Sequence, residues 1–117
     1  MAKTLKVFYD LAVSPATYDF FVFLQLAELH RCRYSLDDMI VIFVPGPIDG
    51  FRNDTLRTTE TKKMMMRNVL LPACHLLPNC KGIVWLDNRQ QAESYIANGV
   101  MVFPLNYAAS RPISEYI

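Results

Sequence analysis

Four short apolar runs punctuate the chain, and helically patterned or loop-forming residues separate them. The first, Leu5-Lys6-Val7-Phe8-Tyr9-Asp10-Leu11, is rich in β-forming residues and predicts a strand. It leads to Ser14-Pro15, where Ser14 suits a helix cap and Pro15 the first helical turn. The helix so predicted runs to about Arg33. Phe20, Phe21, Phe23, Leu24, Leu26, Ala27 and Leu29 leave it only a narrow polar stripe of Gln25, Glu28 and Arg31.

The second run, Met39 to Val44, is continuous rather than alternating. Both faces of that strand must be buried, as in a parallel sheet covered by helices. A long loop, Pro45 to Asp54, precedes a helix predicted over Thr59 to Leu77, with Met64, Val69, Leu70, Cys74 and Leu77 inward. Pro72 is expected to kink that helix and Pro78 to help stop it. The third run, Gly82 to Leu86, is followed by Asp87-Asn88 and a short helix from Arg89 to Ala97, which Asn98-Gly99 closes. The fourth is Val100 to Phe103, and residues 106–117 read as the start of another helix.

Strand alternating with helix predicts a single three-layer α/β/α Rossmann-like domain over residues 1–117, with a mostly parallel four-stranded sheet and right-handed crossovers. Periodicity does not supply strand order. Order 3-2-1-4 is favoured, with the flavodoxin-like 2-1-3-4 as the competitor.

Composition narrows the class. Of 117 residues, 52% are hydrophobic and 20% charged, with a formal net charge of +1, which argues against a disordered chain and against a protein built to grip nucleic acid. Mean hydropathy of +0.14 is high for so small a domain and points to surface that is to be covered, by a second copy or by a missing domain. Cys32, Cys74 and Cys80 cannot all pair, and an odd count without framework spacing suits a cytoplasmic chain. His30/Cys32 and Cys74/His75/Cys80 are too few and too badly spaced for zinc, so no metal and no cofactor are expected. Phe20 to Leu29 is too short and too interrupted to span a membrane.

In open parallel sheets, ligands sit beyond the carboxyl ends of the strands. Those ends carry Ser14, Thr17 and Tyr18, then the Gly46-to-Asp54 loop, then Asp87, Asn88 and Arg89, then Asn106, Tyr107, Ser110 and Arg111. Ser14 and Thr17 could offer an anion site at a helix start, or Ser14 could only cap the helix. Arg52 could grip a carboxylate or phosphate with Asp54 orienting it, or the two could form an exposed pair while Phe51 plugs the loop onto the core. Asp10 could face a site or tie down loop amides. His30 reads as a surface residue and His75 as structural. No GxGxxG, Walker-type GKS or GKT, or Ser/His/Asp spacing is present. The candidate ligand-binding set is Ser14, Thr17, Arg52, Asp54 and Arg111.

Tyr9-Asp10-Leu11, Ser14-Pro15-Ala16-Thr17-Tyr18-Asp19-Phe20, Val44-Pro45-Gly46 and Gly50-Phe51-Arg52-Asn53-Asp54 together resemble the N-terminal half of bacterial and phage-type glycosyltransferases of the GT-B architecture. Arg67-Asn68-Val69-Leu70-Leu71-Pro72 and Leu76-Leu77-Pro78 fit the same pattern. The resemblance implies a domain that contacts a sugar acceptor, while a second domain, for which this chain has no room, holds the nucleotide-sugar. It further implies that the chain is a truncated N-terminal half, inactive alone in sugar transfer. Two other readings stand beside it: a non-enzymatic α/β module that self-associates into a homo-oligomer, and a small flavodoxin-like protein that binds a phosphate-bearing ligand or nucleotide.

Overall fold

The computed structural model describes residues 3–53, 57–96, 101–105 and 107. Its elements are β1 (Thr4–Asp10), α1 (Asp19–Arg33), β2 (Asp38–Val44), α2 (Thr59–Met65), a π-helical turn (Met66–Leu70), α3 (Leu71–His75), β3 (Cys80–Trp85), a 3-10 helix (Arg89–Tyr95) and β4 (Val102–Phe103). The four strands form one sheet of order β3-β2-β1-β4, and every neighbouring pair is parallel. The favoured strand order is therefore the observed one.

Strand alternation splits the core in two. Leu5, Val7, Tyr9, Met39, Val41 and Phe43 face α1 and the α2–α3 helix, meeting Phe20, Leu24, Ala27, Met66, Leu70, Ala73 and Cys74. Phe8, Ile42 and Val44 face the other way, against Leu86, Ala92 and Tyr107. The unbroken run of β2 thus has two apolar faces because both are covered. Among the described residues the covers are unequal, with α1 and the α2–α3 helix on one side and a short 3-10 helix on the other.

Three local expectations are corrected. Ser14 does not cap α1, which begins five residues later behind Tyr18 with no side-chain cap. The Asp10 carbonyl accepts from the amides of Val13 and Ser14, at 3.1 and 2.8 Å, and winds residues 10–14 into a turn. Tyr9 Oη then donates to the Pro15 carbonyl at 2.6 Å, and Thr17 Oγ1 accepts from Asp19 N at 3.3 Å. The helix can start only where those bonds end.

Second, the helical backbone from Thr59 to His75 takes up Pro72 through a π-turn. Leu71 N–H donates to Met66 O, five residues back, which loosens the helix immediately before the proline ring. Its buried face is Lys62, Met66, Leu70, Ala73 and Cys74, whereas Met64, expected inward, is 46% exposed. Third, the helix expected from Arg89 is a 3-10 helix, whose three-residue period aligns Arg89, Ala92 and Tyr95 in one row. The stop at Asn98-Gly99 lies outside the described residues.

Among the described residues, no helix is long and apolar enough to cross a membrane.

Candidate functional site

The carboxyl ends of the strands are tied together by one carboxylate. Asp10, the last residue of β1, is 5% exposed and lies on the 3-10 helix side of the sheet. Its Oδ1 accepts from Ala12 N at 3.0 Å and from Arg89 Nη1 at 2.6 Å. Its Oδ2 accepts from Arg89 Nη2 at 2.8 Å and from Tyr107 Oη at 2.7 Å. Arg89 Nη1 also donates to the Pro45 carbonyl at 3.1 Å. The carboxylate thus joins the ends of β1 and β2, the start of the 3-10 helix and the segment after β4. The forked geometry suits a guanidinium, and the Tyr107 ring is held by stacking on Phe8 at 4.7 Å. Asp10 does tie down a loop amide, and it does much more.

Arg89 is placed by its own local structure. Asn88 Oδ1 accepts from Gln91 N at 3.0 Å, while Gln91 Oε1 accepts from Asp87 N and Asn88 N at 2.8 and 3.4 Å. This capping box fixes how the chain leaves β3 and aims Arg89 back across the sheet end.

The loop after β2 folds into a small hairpin of its own. Gly46 N donates to Gly50 O at 2.8 Å, and Ile48 and Phe51 exchange backbone bonds at 2.9 and 2.8 Å. Asp49 and Gly50 take positive φ at its tip, where Gly50 has no Cβ to oppose the turn. A Cβ on Gly46 would lie 2.5 Å from the Phe51 carbonyl carbon and oxygen and 2.7 Å from Leu11 O, so only glycine fits there. Phe51 plugs into the larger core at 2% exposure, as one of the two sequence readings of this loop had it.

Between these pieces lies an open cavity of about 410 Å³, walled by Ala12, Pro45, Gly46, Pro47 and Gly50 on one side and Asp87, Asn88 and Arg89 on the other. Its lining is mainly apolar, with Asp87, Asn88 and Arg89 supplying the polar side chains. Asp10 neutralises the Arg89 charge, and the exposed Asp87 carboxylate adds a negative one, so the lining is not a cationic cradle. Such a surface suits a neutral molecule with an apolar face and several hydroxyls better than a phosphate.

Of the five residues singled out from sequence, Ser14, Thr17 and Arg52 are described; Asp54 and Arg111 lie outside the described residues. Arg52 Nη1 donates to the Val13 carbonyl at 3.3 Å, bringing Arg52 beside Ser14 and joining the two loops that carry the cavity's apolar wall. Thr17 is buried and serves the turn into α1. None of these three is among the cavity's lining residues. The lining includes Asp87, Asn88 and Arg89, which the sequence placed at the same rim. What periodicity could not supply was the pairing of Arg89 with a carboxylate 79 residues away.

The remaining polar groups near the core have local roles. Burial pushes the Tyr9 hydroxyl well above the ordinary tyrosine range, the Asp19 charge pushes the same way, and Arg52 opposes both. Lys62, 5% exposed, donates to the Arg52 carbonyl at 3.1 Å and lies over the Phe51 ring, pinning the loop. His30, read as a surface residue, instead packs on Tyr34 and Phe103; burial holds its pKa below the usual histidine value, with Arg33 adding to the effect. Among the described residues, no group of three or more His, Cys, Asp or Glu side chains is placed to hold a metal.

In comparisons with known proteins, no family model, no curated protein and no solved structure matches the chain.

Proposed function

We propose that the chain is a sugar-binding Rossmann-like domain, the acceptor side of a glycosyltransferase-like protein, and that it does not transfer sugar by itself. The observation that carries this reading is the cavity at the carboxyl edge, with Pro45, Gly46, Pro47 and Ala12 facing Asp87, Asn88 and Arg89. A pyranose has a C–H face that packs on flat apolar walls and hydroxyls that pair with a carboxylate, an amide and a guanidinium edge. The GT-B resemblance of Gly50-Phe51-Arg52-Asn53-Asp54 and its companion segments supports the same assignment. Catalytic silence follows from the proposal that the nucleotide-sugar belongs to a second domain.

The test is calorimetric titration with methyl glycosides of glucose, galactose and N-acetylglucosamine, alongside inorganic phosphate. At least one glycoside is expected to bind in the millimolar range, weakening at least tenfold in Asp87→Ala, while phosphate does not bind. Binding of phosphate in preference to every glycoside contradicts the sugar assignment. Turnover of a nucleotide-sugar by the isolated chain contradicts the proposed silence.

A second reading is favoured by a separate observation. On α1, Val22, Leu26 and Leu29 are exposed at 61, 50 and 66%, with Tyr18 just before the helix exposed at 67%, and their spacing of three to four residues puts them in one stripe. We propose that this stripe pairs with the same stripe of a second copy. Solution mass decides it: a dimer that Leu26→Glu dissociates supports the pairing, and a monomer at millimolar concentration contradicts it.

A further inference from the structure

At the opposite end of the sheet from the proposed sugar site, two cysteines bracket the tight connection between α3 and β3. Cys74 is the penultimate residue of α3 and is fully buried in the larger core, and Cys80 opens β3, half-buried against that core. The connection between them is tight, with Leu77 N donating to Cys74 O at 3.4 Å and Cys80 N to Leu77 O at 3.1 Å. Each sulfur has a backbone carbonyl at 3.5 Å, Leu70 O for Cys74 and Gly82 O for Cys80, and Cys80 packs against the buried cluster that contains Cys74. The β2–β3 register shifts here: Met39 pairs with Cys80 and Ile40 with Gly82, which leaves Lys81 as the extra residue of a bulge. The bulge borders a cavity of about 350 Å³ lined by His75, Cys80, Lys81, Gly82 and Ile83. One thiol therefore faces a small basic opening, and the other stands behind it in the core.

We propose that Cys80 and Cys74 form a peroxide-reactive dithiol, with Cys80 the thiol that is oxidised first and Cys74 the thiol that resolves it into a disulfide. In the first step the Cys80 thiolate attacks one peroxide oxygen. An S–O bond forms, the O–O bond breaks, and the departing hydroxide leaves as water after taking a proton. In the second, the Cys74 sulfur attacks the Cys80 sulfenic sulfur. An S–S bond forms, the S–O bond breaks, and the leaving hydroxide takes the Cys74 proton. Two thiols lose two electrons and one hydrogen peroxide becomes two waters.

The charge distribution supports this order. The neighbouring Cys74 thiol and the nearby backbone outweigh burial and hold the Cys80 pKa down to about 7, whereas Cys74 is pushed up by its neighbour and by burial. The more accessible sulfur is thus the one that ionises. The disulfide closes a short loop at the α3–β3 junction, leaving the carboxyl-edge cavity at the far end of the strands untouched.

The experiment uses the full chain carrying Cys32→Ser, which removes the exposed third thiol. The folded protein is treated with hydrogen peroxide, denatured, alkylated and cut with trypsin, which leaves both cysteines in the peptide Asn68–Lys81. The expected product is that peptide lighter by two hydrogens and carrying no alkyl group. In a Cys74→Ala variant, Cys80 is expected instead to be trapped by dimedone as the sulfenic acid. The Asn68–Lys81 readout does not depend on the Cys74→Ala variant and can be repeated on the unsubstituted chain, so a Cys74→Ala chain that fails to fold leaves the test intact. A peptide that keeps two alkylatable thiols under peroxide that oxidises Cys32 in the unsubstituted chain overturns the proposal. So does a Cys80 that advances to sulfinic acid while Cys74 remains free.

Discussion

Replacing Asp10 by asparagine removes the negative charge from beneath Arg89 while keeping an oxygen for Ala12 N and a partner for Tyr107. The Asp10 side chain is 5% exposed and that of Arg89 is 28% exposed. Breaking a fully buried pair by removing one partner costs about 3–5 kcal/mol. Water can reach part of the Arg89 guanidinium and recover some of that, so the expected loss is about 2–3 kcal/mol. With an unfolding entropy of about 2.1 cal/mol/K per residue, 1 kcal/mol corresponds to roughly 4 °C for a chain of this length. Thermal and urea denaturation followed by circular dichroism should therefore show Asp10→Asn melting about 8–12 °C lower. Arg89→Met, alone and combined with Asp10→Asn, completes a double-mutant cycle. Direct contact predicts that the two changes are not additive, by about 1–2 kcal/mol. A loss below ~1 kcal/mol together with strict additivity would refute the view that this pair ties the strand ends together.

Three further outcomes follow from the same geometry. Gly46→Ala forces a methyl group onto the Phe51 and Leu11 backbone and should cost about 1–3 kcal/mol in urea denaturation, with glycoside binding lost; an unchanged midpoint contradicts the close approach. Tyr9, whose pKa is raised by burial, should remain protonated in the folded chain while its unfolded counterpart ionises near ~10. Its contribution to stability is thus fully present below that value and declines as pH rises above it, a decline that Tyr9→Phe should abolish in alkaline denaturation curves. Alkylation of Cys80 by iodoacetamide should rise with a midpoint near pH 7 in the folded chain, against about 8.5 for an ordinary thiol. At pH 7 that is ~15-fold more thiolate, offset about fivefold by the weaker nucleophilicity of a more acidic thiol, for a net gain of roughly threefold. A folded-chain midpoint at or above the ordinary value contradicts the stabilised thiolate.

The sheet was legible because its evidence is local. Met39 to Val44 has no polar position to turn toward water, and that alone demands cover on both faces and a parallel neighbour. The start of α1 was less legible. Ser14-Pro15 carries every local mark of a helix start, but the Asp10 carbonyl and the Tyr9 hydroxyl claim residues 13–15 for a turn, and both belong to the strand before. The face of the α2–α3 helix was misread as well. The buried row runs through Lys62, Met66 and Leu70 at four-residue spacing, and Met64, about 240° round the helix from Leu70, falls off it. At the carboxyl edge, the residues that end the strands could be placed from the sequence, but not the pair that ties them together. Asp10 and Arg89 look like any strand-end acid and helix-start base until the fold brings them within 2.6 Å.

The apolar surplus has a physical location as well. The larger core uses Phe20, Leu24 and Ala27 of α1, and the outer stripe through Val22, Leu26 and Leu29 is left facing outward. A face of that kind is where a second surface gains most by contact, because the apolar area removed from water contributes about 25 cal/mol per Å².

Backbone amide mapping tests the central claim most directly. A nitrogen-15-labelled chain is titrated with the methyl glycosides, and the amide shifts are assigned residue by residue. The account predicts saturable shifts concentrated at Ala12, Gly46, Gly50, Asn88 and Arg89, absent from the Asp87→Ala chain. Shifts confined to α1 or to the Cys80 end of the sheet, or no shifts at saturating glycoside, would contradict it.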